Sequence, residues 1–289
     1  MKDRTRTYAR GLALAGTVSL VAAGCGGGGD DATKPTKVAV NVTESGKQAT
    51  IEVPKEVEGG LVELSLDNSA GKAPHAGQLI LLNDGHTAQE AIAIVGSEKP
   101  QPIPSWLRAE GGVGSTAPGE SNAATVKLPE GHYAVIDDAG MGGPPPFTEF
   151  DVKGDNGGDL PETDASVTAA ETDGTPEYEW KVDGLKTGEN TFTFNSEGDN
   201  ALHHIVAAPI KGDATLDQIK TELESDGPPK SIDFENSVDA SVIDGGESQV
   251  VKFNLQAGRY AFVCFLPDRD KPDEPHFTEG LLKDFTIGG

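Results

Sequence analysis

Gly258-Arg259-Tyr260-Ala261-Phe262-Val263-Cys264 is the stretch on which the fold turns, because a near copy, Gly131-His132-Tyr133-Ala134-Val135, stands 127 residues earlier. Three other landmarks answer one another across the chain. Leu64-Ser65-Leu66-Asp67-Asn68-Ser69 matches Phe192-Thr193-Phe194-Asn195-Ser196, Pro74-His75 matches Leu202-His203, and Phe147-Thr148-Glu149 matches Phe277-Thr278-Glu279. The offsets are 127 for Asn68/Asn195, 128 for His75/His203 and 130 for Thr148/Thr278. Near-constant spacing over separated landmarks predicts one unit written twice. Gly154 to Pro176, acidic and rich in Gly, Thr and Pro, reads as the linker. The units then run over 37–153 and 177–289, with the linker over 154–176.

Within each unit short runs alternate apolar and polar residues, as in Lys37–Val42, Tyr178–Val182 and Gln249–Leu255. Period-two alternation bounded by Gly, Pro, Asn and Asp predicts half-buried strands. One helix start occurs in each unit, at Thr87-Ala88-Gln89-Glu90 and Thr215-Leu216-Asp217-Gln218. In both, the N-cap hydroxyl and the side chain three residues on can satisfy amides that the first turn leaves unpaired. The expectation is an all-β chain of two Greek-key β-sandwiches, each with one short helical insertion.

The N-terminus predicts the compartment. Lys2, Arg4, Arg6 and Arg10 precede an apolar stretch from Gly11 to Ala22 that is short for a membrane span. Leu20-Val21-Ala22-Ala23-Gly24-Cys25 resembles the lipobox of bacterial lipoproteins. The resemblance implies cleavage after residue 24 and a lipid on Cys25. An ordinary secretory signal followed by a free cysteine is the alternative. Gly26 to Gly29 and Asp30-Asp31 begin a flexible tether over 25–36. The expected place is the extracytoplasmic face of the cell membrane, held by the lipid anchor only. The formal charge is −24, and loss of residues 1–24 removes four positive and one negative charge. So acidic a chain argues against a nucleic-acid partner, which needs a basic footprint.

With Cys25 lipidated, Cys264 is the one thiol left. An unpaired thiol in an exported protein is an intermolecular link, a reactive group or a ligand, and it also packs well as a small core residue. His276 follows twelve residues later, and a thiol and an imidazole from one loop suggest a metal. The second unit resembles the cupredoxins, the plastocyanin and azurin-type blue copper family. Leu202-His203-His204-Ile205-Val206 is similar to the strand bringing the first histidine ligand, and Gly258–Cys264 to the strand ending in the cysteine. His276 stands where the second histidine is expected, and Leu281 where the family places an axial methionine.

The resemblance implies copper held by His203, Cys264 and His276, with Leu281 as a non-ligating axial residue. One thiolate and two imidazoles in a plane with a weak axial position suit copper in both oxidation states. Neighbouring strand residues face opposite sides, so His204 is expected to point away from His203. The loop Phe265–Pro275 is longer than usual in the family and heavily charged.

The first unit keeps less of the set. The offsets place Asp137 opposite Cys264 and Pro146 opposite His276, leaving His75 alone. Met141, in Gly140-Met141-Gly142-Gly143, reads as a soft ligand in a flexible loop or as a plain loop methionine, and His86 and His132 have no partners at recognisable spacing. Val263 and Phe265 flank Cys264 where multicopper enzymes carry histidines, and Gly-x-Ser-x-Gly does not occur. No catalytic residue is assigned, and the chain is read as an electron carrier or binding protein. The expected function is copper-based electron transfer or copper handling with a redox or copper-donor protein partner. The alternative is a metal-free β-sandwich interaction module.

Overall fold

The computed structural model describes residues 34–288 apart from 47, 98, 100, 140–143 and 226. The signal segment 1–24, Cys25, the tether up to residue 33 and Met141 therefore lie outside the described residues. The first half contains β1 (Thr36–Ser45), β2 (Gln48–Glu52), β3 (Glu56–Glu58), β4 (Gly60–Asp67), β5 (His75–Leu82), α1 (Ala88–Val95), β6 (Leu107–Thr116), β7 (Ser121–Leu128), β8 (Gly131–Ile136) and β9 (Phe147–Lys153). The second contains β10 (Ser166–Glu171), β11 (Tyr178–Asp183), β12 (Gly188–Ser196), β13 (Leu202–Pro209), α2 (Leu216–Leu223), β14 (Val238–Asp244), β15 (Ser248–Leu255), β16 (Gly258–Val263) and β17 (Leu282–Ile287). The expected all-β class is the class observed.

Two sheets face each other. One has the order β11-β10-β12-β15-β7-β4-β1-β2, the other β17-β16-β13-β14-β6-β5-β8-β9-β3. Apart from the edge strand β3, which the first half alone contributes, each half gives the same strand order to each sheet, and successive strands cross between sheets in Greek-key fashion. Thus β12 pairs with β15 in one layer while β13 pairs with β14 in the other. The sheets continue from one half into the other through β15·β7 and β14·β6, strands that hold corresponding places in their halves. Side chains lace this junction. Gln78 donates to Val242 O and accepts from Val242 N, and Gln249 accepts from Gly112 N.

Alternation decides which residues meet between the layers. Along β12, Asn190, Phe192, Phe194 and Ser196 are buried while Glu189 and Thr191 are exposed. Phe192 and Phe194 pack in the shared core with Trp180, Phe253 and Phe262. The nine-stranded sheet is covered on its other face as well. There α1 packs on Ile80, Leu82, Ala134 and Ile136, and α2 on Ala208, Ala261 and Val263. Burial on both faces explains why every residue of β5 is buried. Both helices carry the expected capping box, Thr87 with Glu90 and Thr215 with Gln218.

Four details of the sequence reading need correction. The segment 154–176 carries β10, whose Val167, Ala169 and Ala170 are buried between β11 and β12; small residues hid the strand. Phe147-Thr148-Glu149 lies in β9, whereas Phe277-Thr278-Glu279 lies in a turn before β17. The backbone bond Asp137 N→Pro146 O is matched by Cys264 N→Leu281 O, so Pro146 stands at the place of Leu281 and not of His276. Likewise Asn68 N→Glu120 O is matched by Ser196 N→Glu247 O, which shifts the Asn68 counterpart from Asn195 to Ser196.

Candidate metal centre

His203 is the second residue of β13, where the register against β14 shifts between His203 and Ile205. Cys264 follows the last residue of β16, its neighbour strand. His276 arrives by the loop Phe265–Pro275, which closes on itself through His276 N→Leu266 O at 2.9 Å. A tight turn follows, with Leu281 N→His276 O at 2.8 Å and Cys264 N→Leu281 O at 3.0 Å. Leu281 thus ties the thiol-bearing and imidazole-bearing segments through its backbone. His203, Cys264, His276 and Leu281 all have 0% exposure.

The three candidate donors are brought together. Cys264 Sγ lies 3.6 Å from His276 Nδ1, and the rings of His203 and His276 have centroids 4.7 Å apart. Leu281 contributes only hydrocarbon to the same core. His204 faces the other way and is partly exposed, its Nε2 accepting from Phe265 N at 3.0 Å.

Four further residues orient these groups, and sequence reasoning had not singled them out. Asp268, 3% exposed, accepts from His276 Nε2 at 3.0 Å and from the Tyr178 hydroxyl at 2.8 Å. A carboxylate only accepts here, so Nε2 donates in that bond, and Nδ1 is the ring nitrogen on the Cys264 side. Lys271 Nζ lies 3.2 Å from Asp268 Oδ2 and 2.8 Å from Glu177. Ser196 Oγ meets His203 Nδ1 at 2.9 Å, leaving His203 Nε2 in the interior with no hydrogen-bond partner among the described residues. Of these, Asp268 and Lys271 fall between Cys264 and His276, the only sequence signal they give.

The pocket is electrically quiet. Burial pushes the Cys264 thiol up to about 12, against the pull of backbone bonds at His204 and Leu266. Burial, helped by neighbouring His276, holds His203 well below the ordinary histidine range. Burial alone would raise Asp268, but the bonds from His276 and Tyr178 outweigh it and hold the carboxyl well below its usual range. The metal-free pocket therefore holds a protonated thiol and a neutral His203 imidazole beside an ionised carboxylate.

The donor set fits a soft metal. One thiol, an imidazole nitrogen facing it and a buried imidazole nitrogen without a partner are groups that copper or zinc would satisfy. An unpartnered buried polar atom costs about 1–3 kcal/mol, and ligation would relieve it. A tighter three-donor group also occurs, Asp268, His276 and Glu279, with ligand atoms all within 4.8 Å of one another. Its Asp268 and His276 atoms already bond each other, and Lys271 holds a positive charge against the same carboxylate. That arrangement is the imidazole–carboxylate pair that orients a ligand from behind.

In the first half His75 is buried as His203 is, but its neighbours differ. Nδ1 lies 2.6 Å from Asp137 Oδ2 and Nε2 3.1 Å from Glu44 Oε1. The carboxylate at the place of Cys264 thus occupies the imidazole itself. His86 stacks on Trp106, and His132 pairs with Asp151 at the surface.

No protein-family model matches this chain, and no curated protein matches it. Solved structures do. Auracyanin from the photosynthetic bacterium Roseiflexus castenholzii is 22% identical, covering 43% of this chain and 95% of its own, with a TM-score of 0.27. A copper nitrite reductase from Nitrosomonas europaea is 13% identical over 89% of this chain and 95% of its own, with a TM-score of 0.24. A laccase-like multi-copper oxidase from Ochrobactrum sp. is 13% identical over 87% of this chain and 66% of its own, with a TM-score of 0.22. Likeness at this level carries no argument about the chemistry of this chain, which rests on its own side chains.

Proposed function

We propose that the second half binds copper through His203, Cys264 and His276, with Leu281 filling the axial side, and serves electron transfer or copper handling. The observation that carries this reading is Cys264 Sγ at 3.6 Å from His276 Nδ1, beside the unpartnered His203 Nε2, in a pocket closed to solvent. Bound copper would supply one-electron chemistry. The chain's own residues hold the donors still: Asp268 fixes the His276 ring, Ser196 fixes His203, and the Leu281 backbone fixes the spacing of Cys264 and His276. The high thiol pKa means that binding would release a proton from Cys264.

The reading includes a duplicated cupredoxin-like sandwich whose first copy has lost the ligand set, since Asp137 stands in place of the thiol. It also includes attachment to the outer face of the cell membrane through a lipid on Cys25, and a protein partner that exchanges electrons or copper. An electron carrier or binding protein fits better than an enzyme, because Val263 and Phe265 beside Cys264 offer no donors to a second metal.

Addition of copper(II) to the metal-free protein is the test. An intense visible thiolate-to-copper band that is absent in Cys264→Ser supports the reading. A colourless mixture with no bound copper would leave a metal-free interaction module built on the same sandwich. Release from membranes by Cys25→Ser tests the anchor.

A further inference from the structure

The three candidate donors have no exposure, so nothing reaches them unless part of the chain moves. The strands beneath them are locked in the sheets by β13·β16 pairing. The covering element is the loop Phe265–Pro275, and the first half of the molecule holds it down. Ile103 N donates to Arg269 O at 2.9 Å, and Arg269 Nη1 donates to Pro104 O at 3.0 Å, a contact spanning 165 residues of sequence. The same guanidinium, only 12% exposed, pairs with Asp244, and Arg269 N donates to Asn200 O at 3.0 Å. Arg108 of the first half approaches the other oxygen of Asp244 at 3.7 Å. Both terminal nitrogens of the guanidinium, the backbone N and the carbonyl of Arg269 are thus used, and two of these partners belong to Ile103–Pro104.

We propose that Ile103–Pro104 is a clamp on the ligand loop, and that its grip on Arg269 sets how often the loop opens to expose Cys264. Resting on the copper reading, the proposal extends to metal exchange: uptake and release both pass through the opened loop. It assigns the first half a task although it lacks the ligand set. Arg269 acts through the loop and touches neither the thiol nor the imidazoles.

The test uses the full chain with Cys25→Ser, which leaves Cys264 as the sole thiol. Without metal, a small aromatic disulfide reagent reads the opening directly through its rate of reaction with Cys264 under native conditions. Arg269→Ala should speed that reaction at least roughly tenfold, the effect expected when hydrogen bonds from a charged, largely buried group are lost, and Ile103→Pro, which deletes one neutral backbone bond, should speed it roughly three- to tenfold. Ile103→Pro removes a backbone donor between two existing prolines and exchanges one apolar side chain packed under α1 for another, outside the ligand loop, and decides the matter should Arg269→Ala not fold. Unchanged reaction rates in the folded variants overturn the clamp. With copper, both uptake and chelator-driven release should accelerate together while the thiolate band keeps its position. Faster release with unaltered uptake would mean a weakened site and would also overturn the clamp. Accelerated thiol reaction with no copper bound to any form keeps the clamp and refutes the copper reading.

Discussion

Tyr178 and Asp268, 90 residues apart, share a hydrogen bond of 2.8 Å that joins an outer strand of one sheet to the loop covering Cys264. The tyrosine ring also lies against both imidazoles, with centroids 5.0 Å from His203 and 4.6 Å from His276. Replacement by phenylalanine keeps the ring and deletes the donor. Tyr178→Phe should therefore cost about 1–3 kcal/mol, the usual effect of leaving a buried charged acceptor short of a partner. Denaturant unfolding of the metal-free protein reads this. A loss below a few tenths of a kcal/mol would show the bond to be idle.

Gly280 sits in the turn between His276 and β17 with φ +118, and a Cβ there would lie 1.9 Å from Tyr178 O. No side-chain adjustment relieves a clash with backbone. Gly280→Ala must displace the turn and with it Leu281, whose carbonyl holds Cys264 N. A cost of at least about 1–3 kcal/mol is expected from the backbone conformation alone. Cys264 should also become more reactive to thiol reagents.

Glu110 gives a pH signature at the junction of the halves. Burial pushes its carboxyl up to about 7, although Arg108 Nε lies 2.9 Å away and opposes the shift. A carboxyl whose folded pKa is raised binds protons more tightly when folded. Its contribution is present in full below about pH 4.5 and is lost as pH rises through about 7. Relative to Glu110→Gln, the native chain should lose up to about 3 kcal/mol across that window, at about 1.4 kcal/mol for each unit of displacement. Urea midpoints of the two proteins at several pH values measure it; a constant difference would refute the assignment.

Asp137 supports two buried groups of the first half, His75 Nδ1 and Ala76 N, with one oxygen each. Asp137→Ala strips both and should cost about 1–3 kcal/mol for each buried donor left without its acceptor. Asp137→Asn can still accept from Ala76 N and should cost clearly less. Equal losses would mean that the carboxylate's hydrogen bonds do not set stability there.

Much of this arrangement was legible because it depends on local pattern. The capping boxes at Thr87 and Thr215 and the alternation of Tyr178–Val182 need no distant partner to be recognised. The equivalence of His75 with His203, and of Asp137 with Cys264, holds in the strand ladders as it did in the residue offsets. What failed depended on residues without a periodic signal. Ala169 and Ala170 look like linker until β11 and β12 enclose them. Phe277-Thr278-Glu279 copies the letters of Phe147-Thr148-Glu149 while forming a turn, because the longer loop delays the start of β17. The orienting roles of Asp268, Ser196 and Tyr178 arise only when the loop folds back, which no spacing announces.

Strands β7 and β15, and likewise β6 and β14, meet their own counterparts across the junction. Like meeting like is the contact by which two identical subunits associate about a two-fold axis. Written into a single polypeptide, such an association no longer weakens on dilution, because the second partner is always at hand. The two halves can then differ without endangering the pairing, one holding Cys264 beside His276 and the other holding Asp137 and Glu44 on His75.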